Sequence, residues 1–139
     1  MPYYPDLSLY DYDYYSPPEG MTVGWLEKGR EIPVGEVSVE DLENLSDLGH
    51  LAEGQSRGWH YCTFCGKREL QYAWSERFES KYSLGSAEIR VRSDDGTLYI
   101  APNLIVHYIL DHGYLPPDEF LQAVREDVRR RWPAESEGQ

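Results

Sequence analysis

The clearest alternation of apolar and polar residues occupies two short segments, 87–92 and 97–101, on either side of a turn. In the first segment Ala87, Ile89 and Val91 face one way, while the charged residues Glu88, Arg90 and Arg92 face the other. Segment 97–101 alternates in the same manner, and the sequence Ser-Asp-Asp-Gly between them is typical of a turn. This pattern predicts a β-hairpin with one buried face.

A helical pattern begins after residue 38. Ser38 and Asp41 have the spacing of a capping box, with a hydroxyl at the N-cap and an acid three residues later. Gly49 is the expected stop. The acids in the first turns of this helix are expected to lie on a solvated face. The predicted inner stripe is Val39, Leu42, Leu45 and Leu48.

Two further helices are predicted in the last third of the chain. Leu104 to about Leu110 is apolar on nearly every side, so this helix should be buried, with Asn103 as its N-cap. The last helix should begin at Asp118, and its acidic start and arginine-rich end complement the helix dipole. The expected inner face of the last helix is Phe120, Leu121, Val124, Val128 and Trp132.

Segment 67–82 is predicted as a strand followed by a loop.

Length and composition favour a single small α+β domain. The chain has 139 residues, which is enough for one modest core that a metal cross-link would strengthen. Residues 1–20 are rich in tyrosine, proline and acids without a helical or strand period, so they are predicted to form an irregular arm. The domain itself is expected over 21–132, followed by a flexible tail over 133–139.

The candidate chemistry lies in the two cysteines and two of the four histidines. Cys62 and Cys65 form a Cys-x-x-Cys pair followed by a glycine, and His107 and His112 return 42 residues or more later as His-x4-His. Two thiolates and two imidazoles match a closed tetrahedral zinc site. The order of cysteine knuckle, hairpin and histidine-bearing helix is that of treble-clef zinc sites, so structural Zn²⁺ is the expected cofactor.

The spacing of the histidines constrains the helix that carries them. Five residues of an ideal α-helix rotate by about 500°, which leaves the two imidazoles roughly 140° apart. The helix is therefore expected to loosen or end near Leu110 and Asp111, with Gly113 in a left-handed conformation that closes it. Asp111 is a candidate for orienting one of the imidazoles.

Other readings of these residues stay open. His60 could replace a later histidine, because His-x-Cys-x-x-Cys can also reach one metal. Redox exchange by the cysteines would need a helix beginning at Cys62 and a βαβ pattern, and neither is predicted. A metal-dependent hydrolase would need an open coordination position and a nearby acid. The histidine-glutamate patterns of zinc deaminases and zincins are absent from the sequence, so no catalytic residue is assigned.

Charge and hydropathy narrow the possible partners. The formal net charge is −12, which disfavours binding to nucleic acid, because nucleic acid is usually bound by clustered lysines and arginines. The dense basic run, Arg125 with Arg129–Arg131, is explained by the helix dipole.

No apolar run approaches the length of a membrane span, and the first residues do not have the pattern of a signal peptide. A cytoplasmic protein is expected.

Three motifs resemble those of a group of short bacterial proteins. They are the Gly-x-His-x-Cys-x-x-Cys run at 58–65, the run Gly-Ser-Ala-Glu-Ile-Arg-Val at 85–91, and Ala-Pro-x-Leu-x-x-His-Tyr-x-x-x-His at 101–112. The resemblance covers about 24–124 and leaves the tyrosine-rich arm outside. It implies a bacterial, cytosolic, zinc-containing single domain without a known activity.

The function expected from the sequence is a non-enzymatic, zinc-stabilised module that binds another protein, with a basic partner masked by this acidic chain. Tyrosine and tryptophan are abundant and suit such an interface. Two alternatives are retained. One is a metal-dependent hydrolase with an open zinc position, and the other is a nucleic-acid-binding zinc ribbon that uses Arg125 and Arg129–Arg131.

Overall fold

A computed structural model describes residues 3–11, 19–55 and 59–134, and it confirms the α+β class. Within these ranges the chain forms three helices, a three-stranded sheet and a separate two-stranded hairpin. None of the described helices is long and apolar enough to cross a membrane. The elements in order are β1 (Met21–Thr22), α1 (Val39–His50), β2 (Gln71–Ser75), β3 (Ser80–Leu84), β4 (Glu88–Arg92), β5 (Leu98–Pro102), α2 (Ile105–His112) and α3 (Asp118–Arg131).

The predicted hairpin is confirmed as β4 and β5. The two strands pair antiparallel with Ile89 opposite Ala101 and Val91 opposite Tyr99, and β1 adds to the other edge of β5 in a parallel orientation. The apolar face of β4 enters the main core, as expected. Glu88 was predicted on the solvated face, but it is buried because Tyr10 and Arg90 bond to its carboxylate.

The segment after the cysteines was predicted as a strand and a loop, and the loop was wrong. Residues 80–84 form β3, which pairs antiparallel with β2. The strand signal of β3 is weak because its alternation is short, with only Tyr82 and Leu84 as apolar residues. Pairing with β2 supplies the backbone hydrogen bonds that the local sequence does not predict.

Helix α1 begins as predicted and ends later. The amide of Asp41 donates to Ser38 Oγ at 3.1 Å, which confirms the cap, but the helix continues past Gly49 to His50. Val39 is 72% exposed and so does not belong to the inner stripe. The prediction of a solvated acidic face is wrong for Asp41, which is buried and receives two hydrogen bonds from Arg125 at 2.7 and 2.9 Å.

Helix α3 packs its predicted apolar face and uses its arginines against the sheet. Arg130 and Arg131 donate to the backbone carbonyls of Arg92 and Arg90, and Asp127 accepts the amide of Arg92 at 2.8 Å. The basic run therefore covers the outer edge of β4, where unpaired backbone groups would otherwise face solvent. This contact adds a role beyond the helix dipole that the sequence suggested.

The described part of the N-terminal arm lies on the domain. Tyr10 and Trp25 form a small buried cluster with Ile100, and Asp6 accepts hydrogen bonds from the Gly24 amide at 3.0 Å and the Tyr114 hydroxyl at 2.7 Å. Residues 1–2 and 12–18 of the predicted arm lie outside the described ranges. So do residues 135–139 of the predicted tail.

Candidate metal centre

The two cysteines lie in a tight turn that the surrounding backbone holds in place. The amide of His60 donates to the Gly85 carbonyl oxygen at 2.8 Å, and the amide of Lys28 donates to Thr63 Oγ1 at 3.0 Å. Gly66 has a φ of 68°, which suits the glycine that ends such a turn. Cys62 is only 2% exposed and belongs to the main core, whereas Cys65 lies nearer the surface.

Helix α2 carries both histidines: of the two expected outcomes, an end near Leu110 or a loosened helix, the structure has the second. The helix runs to His112, and Gly113 closes it with a φ of 67°, as expected. The amides of Gly113 and Tyr114 both donate to the Tyr108 carbonyl oxygen, five and six residues earlier. The last turn is thus wider than that of an α-helix, and the two imidazoles lie together with ring centroids 5.0 Å apart.

The beginning of α2 differs from the prediction for Asn103. The helix begins after Leu104, and no side chain caps it. Asn103 instead accepts the Gly85 amide through Oδ1 at 2.9 Å and donates to the Gly49 carbonyl oxygen through Nδ2 at 3.5 Å. The side chain thereby joins the end of α1, the segment before β4 and the start of α2. Leu110 is another exception, because it is exposed although the helix was expected to be buried throughout.

The structure brings the four predicted ligand residues together. Their donor atoms all lie within 4.8 Å of one another. Cys65 Sγ is 3.3 Å from His107 Nε2 and 3.5 Å from His112 Nε2, and Cys62 Sγ is 3.3 Å from His112 Nε2. Tetrahedral zinc would place a sulfur and a nitrogen ligand about 3.5 Å apart. The cluster is therefore of a size to bind a metal ion.

Asp111 contacts the histidine one turn before it. Its Oδ2 lies 3.1 Å from His107 Nδ1, so a proton on Nδ1 is donated to the carboxylate and Nε2 is left as the donor atom toward the cysteines. A carboxylate in this position fixes the tautomer and the orientation of a metal-binding imidazole. Asp111 was expected to orient an imidazole, and the structure shows that this is His107.

Burial shifts the pKa of two members of the cluster, Cys62 and His107. It raises the pKa of the Cys62 thiol to about 11, and it lowers the pKa of His107. A neutral imidazole is ready to bind a metal, whereas a buried thiol releases its proton only when a cation compensates the thiolate charge. The environment therefore favours a bound cation over a reactive free thiolate at Cys62.

His60 is not part of the cluster, although it lies within the described residues. Burial lowers its pKa, and its amide fixes the approach of the chain to Cys62 through the bond to Gly85. Sequence reasoning missed Gly85 and the side-chain role of Asn103. The signal available for Gly85 was a glycine two residues before the predicted strand that begins at Ala87.

Gly85→Ala is expected to destabilise the protein because its Cβ would lie 2.3 Å from the His60 carbonyl oxygen at a φ of 113°. Backbone strain and this contact should lower the free energy of unfolding by about 2 kcal/mol or more. Urea denaturation measures the change. Gly29→Ala is the matched control, since Gly29 also has a positive φ but its Cβ would meet open space. Equal losses in the two variants would contradict the assigned contact.

The fold and the site define a small α+β protein with one Cys2His2 cluster joining a cysteine turn to a helix. The chain belongs to a family described as a domain of unknown function, DUF7919, whose match covers residues 2–125. The match includes the described part of the arm, which the sequence resemblance had left outside. No curated protein and no solved structure matches the chain.

Proposed function

We propose that the cluster binds a structural zinc ion and that the domain is a non-enzymatic module for binding another protein. The observation that carries this proposal is that four protein residues, Cys62, Cys65, His107 and His112, supply four donor atoms at one point. Four protein ligands complete a tetrahedral zinc site and leave no position for a substrate. The ion would join the cysteine turn to α2.

Zinc is favoured by the donor set and by its charge. Thiolates exclude magnesium and calcium, which prefer oxygen ligands, and a mixture of two thiolates with two imidazoles is typical of tetrahedral zinc. The two thiolates would neutralise the two charges of the ion, so the loaded cluster would place no net charge beside the core. Ligation by cysteines suits a reducing compartment such as the bacterial cytoplasm.

The arginines weigh against the alternative of a nucleic-acid-binding ribbon. Arg125 forms an ion pair with Asp41, and Arg130 forms one with Asp94. Arg131 pairs with both Asp127 and Glu53. A nucleic acid would have to displace these bonds and would also meet a chain of net charge −12. The hydrolase alternative would require one of the four clustered residues to leave the metal.

The partner proposed for the module is a basic protein, because one continuous stretch of the chain carries acids and no basic residue. Between Glu31 and Ser56 there is no lysine or arginine. Four glutamates of this stretch are exposed, and so are two valines between them in the sequence, Val34 and Val39, at 68% and 72%. Exposed apolar residues surrounded by one sign of charge suit a partner of opposite charge. The acids of the stretch are Glu31, Glu36, Glu40, Asp41, Glu43, Asp47 and Glu53.

The test is capture of a partner from cells of the source organism, followed by affinity measurements with two variants of equal net charge. One carries Glu36→Gln, Glu40→Gln and Glu43→Gln beside the exposed valines. The control carries Glu69→Gln, Glu76→Gln and Glu79→Gln, which are also exposed. We expect the first variant to bind the captured protein about tenfold more weakly and the control to stay within about twofold.

Two results would contradict the proposal. One is a failure to capture, at low salt, any protein that high salt then releases. The other is that the captured protein is not basic. Equal weakening by both triple variants would show that only the overall charge matters, and it would remove the assignment to the surface around Val34 and Val39.

A further inference from the structure

The outer face of the β2–β3 hairpin carries two large exposed aromatic side chains. Along β2 the side chains alternate, so that Ala73 and Ser75 are buried, whereas Tyr72 and Trp74 are 53% and 52% exposed. Single exposed apolar residues are common on protein surfaces, but two rings on one face of one strand form a patch. Tryptophan and tyrosine are also among the residues that contribute most to protein–protein binding.

Both rings are held in position by neighbouring charged groups. The Trp74 indole donates to Glu76 Oε2 at 2.5 Å, and Lys81 Nζ lies 4.8 Å from the centroid of the Tyr72 ring. Lys81 is also the cross-strand neighbour of Trp74 in the register of β2 and β3. A ring that is already fixed loses little freedom when a ligand binds, so this face is preorganised for a contact.

Arg68 adds a second cation at the base of the hairpin. Its guanidinium carbon lies 5.3 Å from the centroid of the Tyr61 ring. Tyr61 follows His60, whose amide donates at 2.8 Å to the carbonyl oxygen of Gly85, the residue directly after β3. The pair of Arg68 and Tyr61 therefore lies beside the end of the hairpin at which Tyr72 stands.

The cations of this region have no counter-charge within the described part of the chain. Lys67, Arg68 and Lys81 are exposed, and none of them forms an ion pair with a described carboxylate. Carboxylates are not scarce, because the chain has 25 acids and 13 lysines and arginines. These three cations are therefore available to an acid from outside.

We propose that the outer face of the hairpin binds an extended acidic segment of another protein. Alternate side chains of an extended chain lie about 7 Å apart on one face, and Tyr72 and Trp74 share this spacing because they are alternate residues of a strand. Apolar side chains of the segment would lie on the two rings, and its acids would pair with Lys81 and Arg68. These residues are different from the acidic stretch 31–56, and the partner has the opposite charge.

A nucleic acid or a second copy of the chain fits this face less well. Glu76 keeps a carboxylate at the Trp74 indole, so a phosphate next to a stacked base would meet a negative charge. The closely spaced phosphates of a nucleic acid, and a second copy of the chain, would also be repelled by a net charge of −12. A peptide can place its few acids at the cations and its apolar side chains on the rings.

The experiment measures fluorescence polarisation of labelled synthetic peptides of about nine residues with the full-length protein. In the first peptide glutamate alternates with valine. In the second, lysine replaces every glutamate, and in the third, the glutamates and valines of the first are grouped in two blocks. We expect the first peptide to bind, the second not to bind, and the third to bind at least about tenfold more weakly than the first.

Tyr72→Ala and Trp74→Ala should each weaken binding of the alternating peptide about tenfold or more. Lys81→Gln should weaken it several-fold at low salt, and this loss should be absent for a peptide with glutamine in place of glutamate. Val39→Ala is the matched control, because it removes an exposed apolar side chain from α1 and should leave binding unchanged. The four side chains are exposed, so the thermal melts of the variants should agree with that of the wild type.

Absence of binding at about 1 mM peptide, or equal binding of the glutamate and lysine peptides, would overturn the proposal. Tighter binding of an oligothymidylate of equal charge, weakened by Trp74→Ala, would assign the face to nucleic acid instead. Self-association in sedimentation that Trp74→Ala abolishes would assign it to a second copy. Each of these results would leave the proposed metal site and the proposed basic partner as they stand.

Discussion

Cys62→Ser and His107→Ala are each expected to abolish stoichiometric zinc binding and to lower the free energy of unfolding by at least about 4 kcal/mol, since structural zinc contributes directly to folding. Both residues are buried, and the ion would hold the cysteine turn against α2. Without the ion, the cysteine turn is held only by the few backbone hydrogen bonds around it. Elemental analysis of the untagged protein in reducing buffer, combined with a thermal melt, measures both effects on the same sample.

The matched control for the metal variants is His60→Ala. His60 precedes the same turn, but its imidazole lies outside the cluster. This variant should retain about one zinc per chain and lose much less stability. If the wild-type protein contains no metal and both ligand variants unfold at the same temperature as the wild type, the proposed structural zinc site is disproved. The thiol chemistry of Cys62 and Cys65 would then be the next question.

Arg125→Ala is expected to lower the free energy of unfolding by about 3 kcal/mol, because it leaves a buried carboxylate without its counter-charge. The Asp41 side chain is 3% exposed and receives two hydrogen bonds from the Arg125 guanidinium, at 2.7 and 2.9 Å. This pair joins the first turn of α1 to the middle of α3, and its two residues lie 84 positions apart in the chain. Chemical denaturation with urea measures the loss.

Two variants distinguish a buried pair from a surface pair. Arg30→Ala removes the half-exposed partner of Glu27, and it should cost less than about 1 kcal/mol. The double variant Arg125→Ala, Asp41→Ala should recover part of the stability that Arg125→Ala loses, because no buried charge remains unpaired. A small loss for Arg125→Ala, similar to that for Arg30→Ala, would mean that Asp41 gains water or another donor.

Local sequence patterns predicted those features whose cause lies within a few neighbouring residues. The Ser38 cap, the alternation of β4 and β5, and the left-handed Gly113 all follow from preferences of short segments. The four clustered residues also followed from residue type, because two cysteines and two histidines have few common roles other than a metal site. The spacing of His107 and His112 further indicated that α2 departs from ideal helical geometry between them.

The errors share a different cause. Asp41 was expected in solvent, but its carboxylate is buried by Arg125 from a distant helix. Asn103 was expected to cap its own helix, but it bonds to Gly85 and to the end of α1. In both cases the local preference was reasonable, and a residue far along the chain offered a stronger interaction. Such pairings depend on the packing of the whole chain.

The sequence by itself determined the α+β class, the residues available to a metal and the acidity of the surface, since these depend on composition, residue type and short periodicities. Only the tertiary structure decided that His60 stays outside the cluster, that Asp111 orients His107, and that the arginines of α3 cover the edge of β4. It also showed that the Tyr108 hydroxyl has no partner in the described residues. The physical reason is that hydrogen bonds and ligand geometry act over a few ångströms in space, between residues whose separation along the chain carries no local signal.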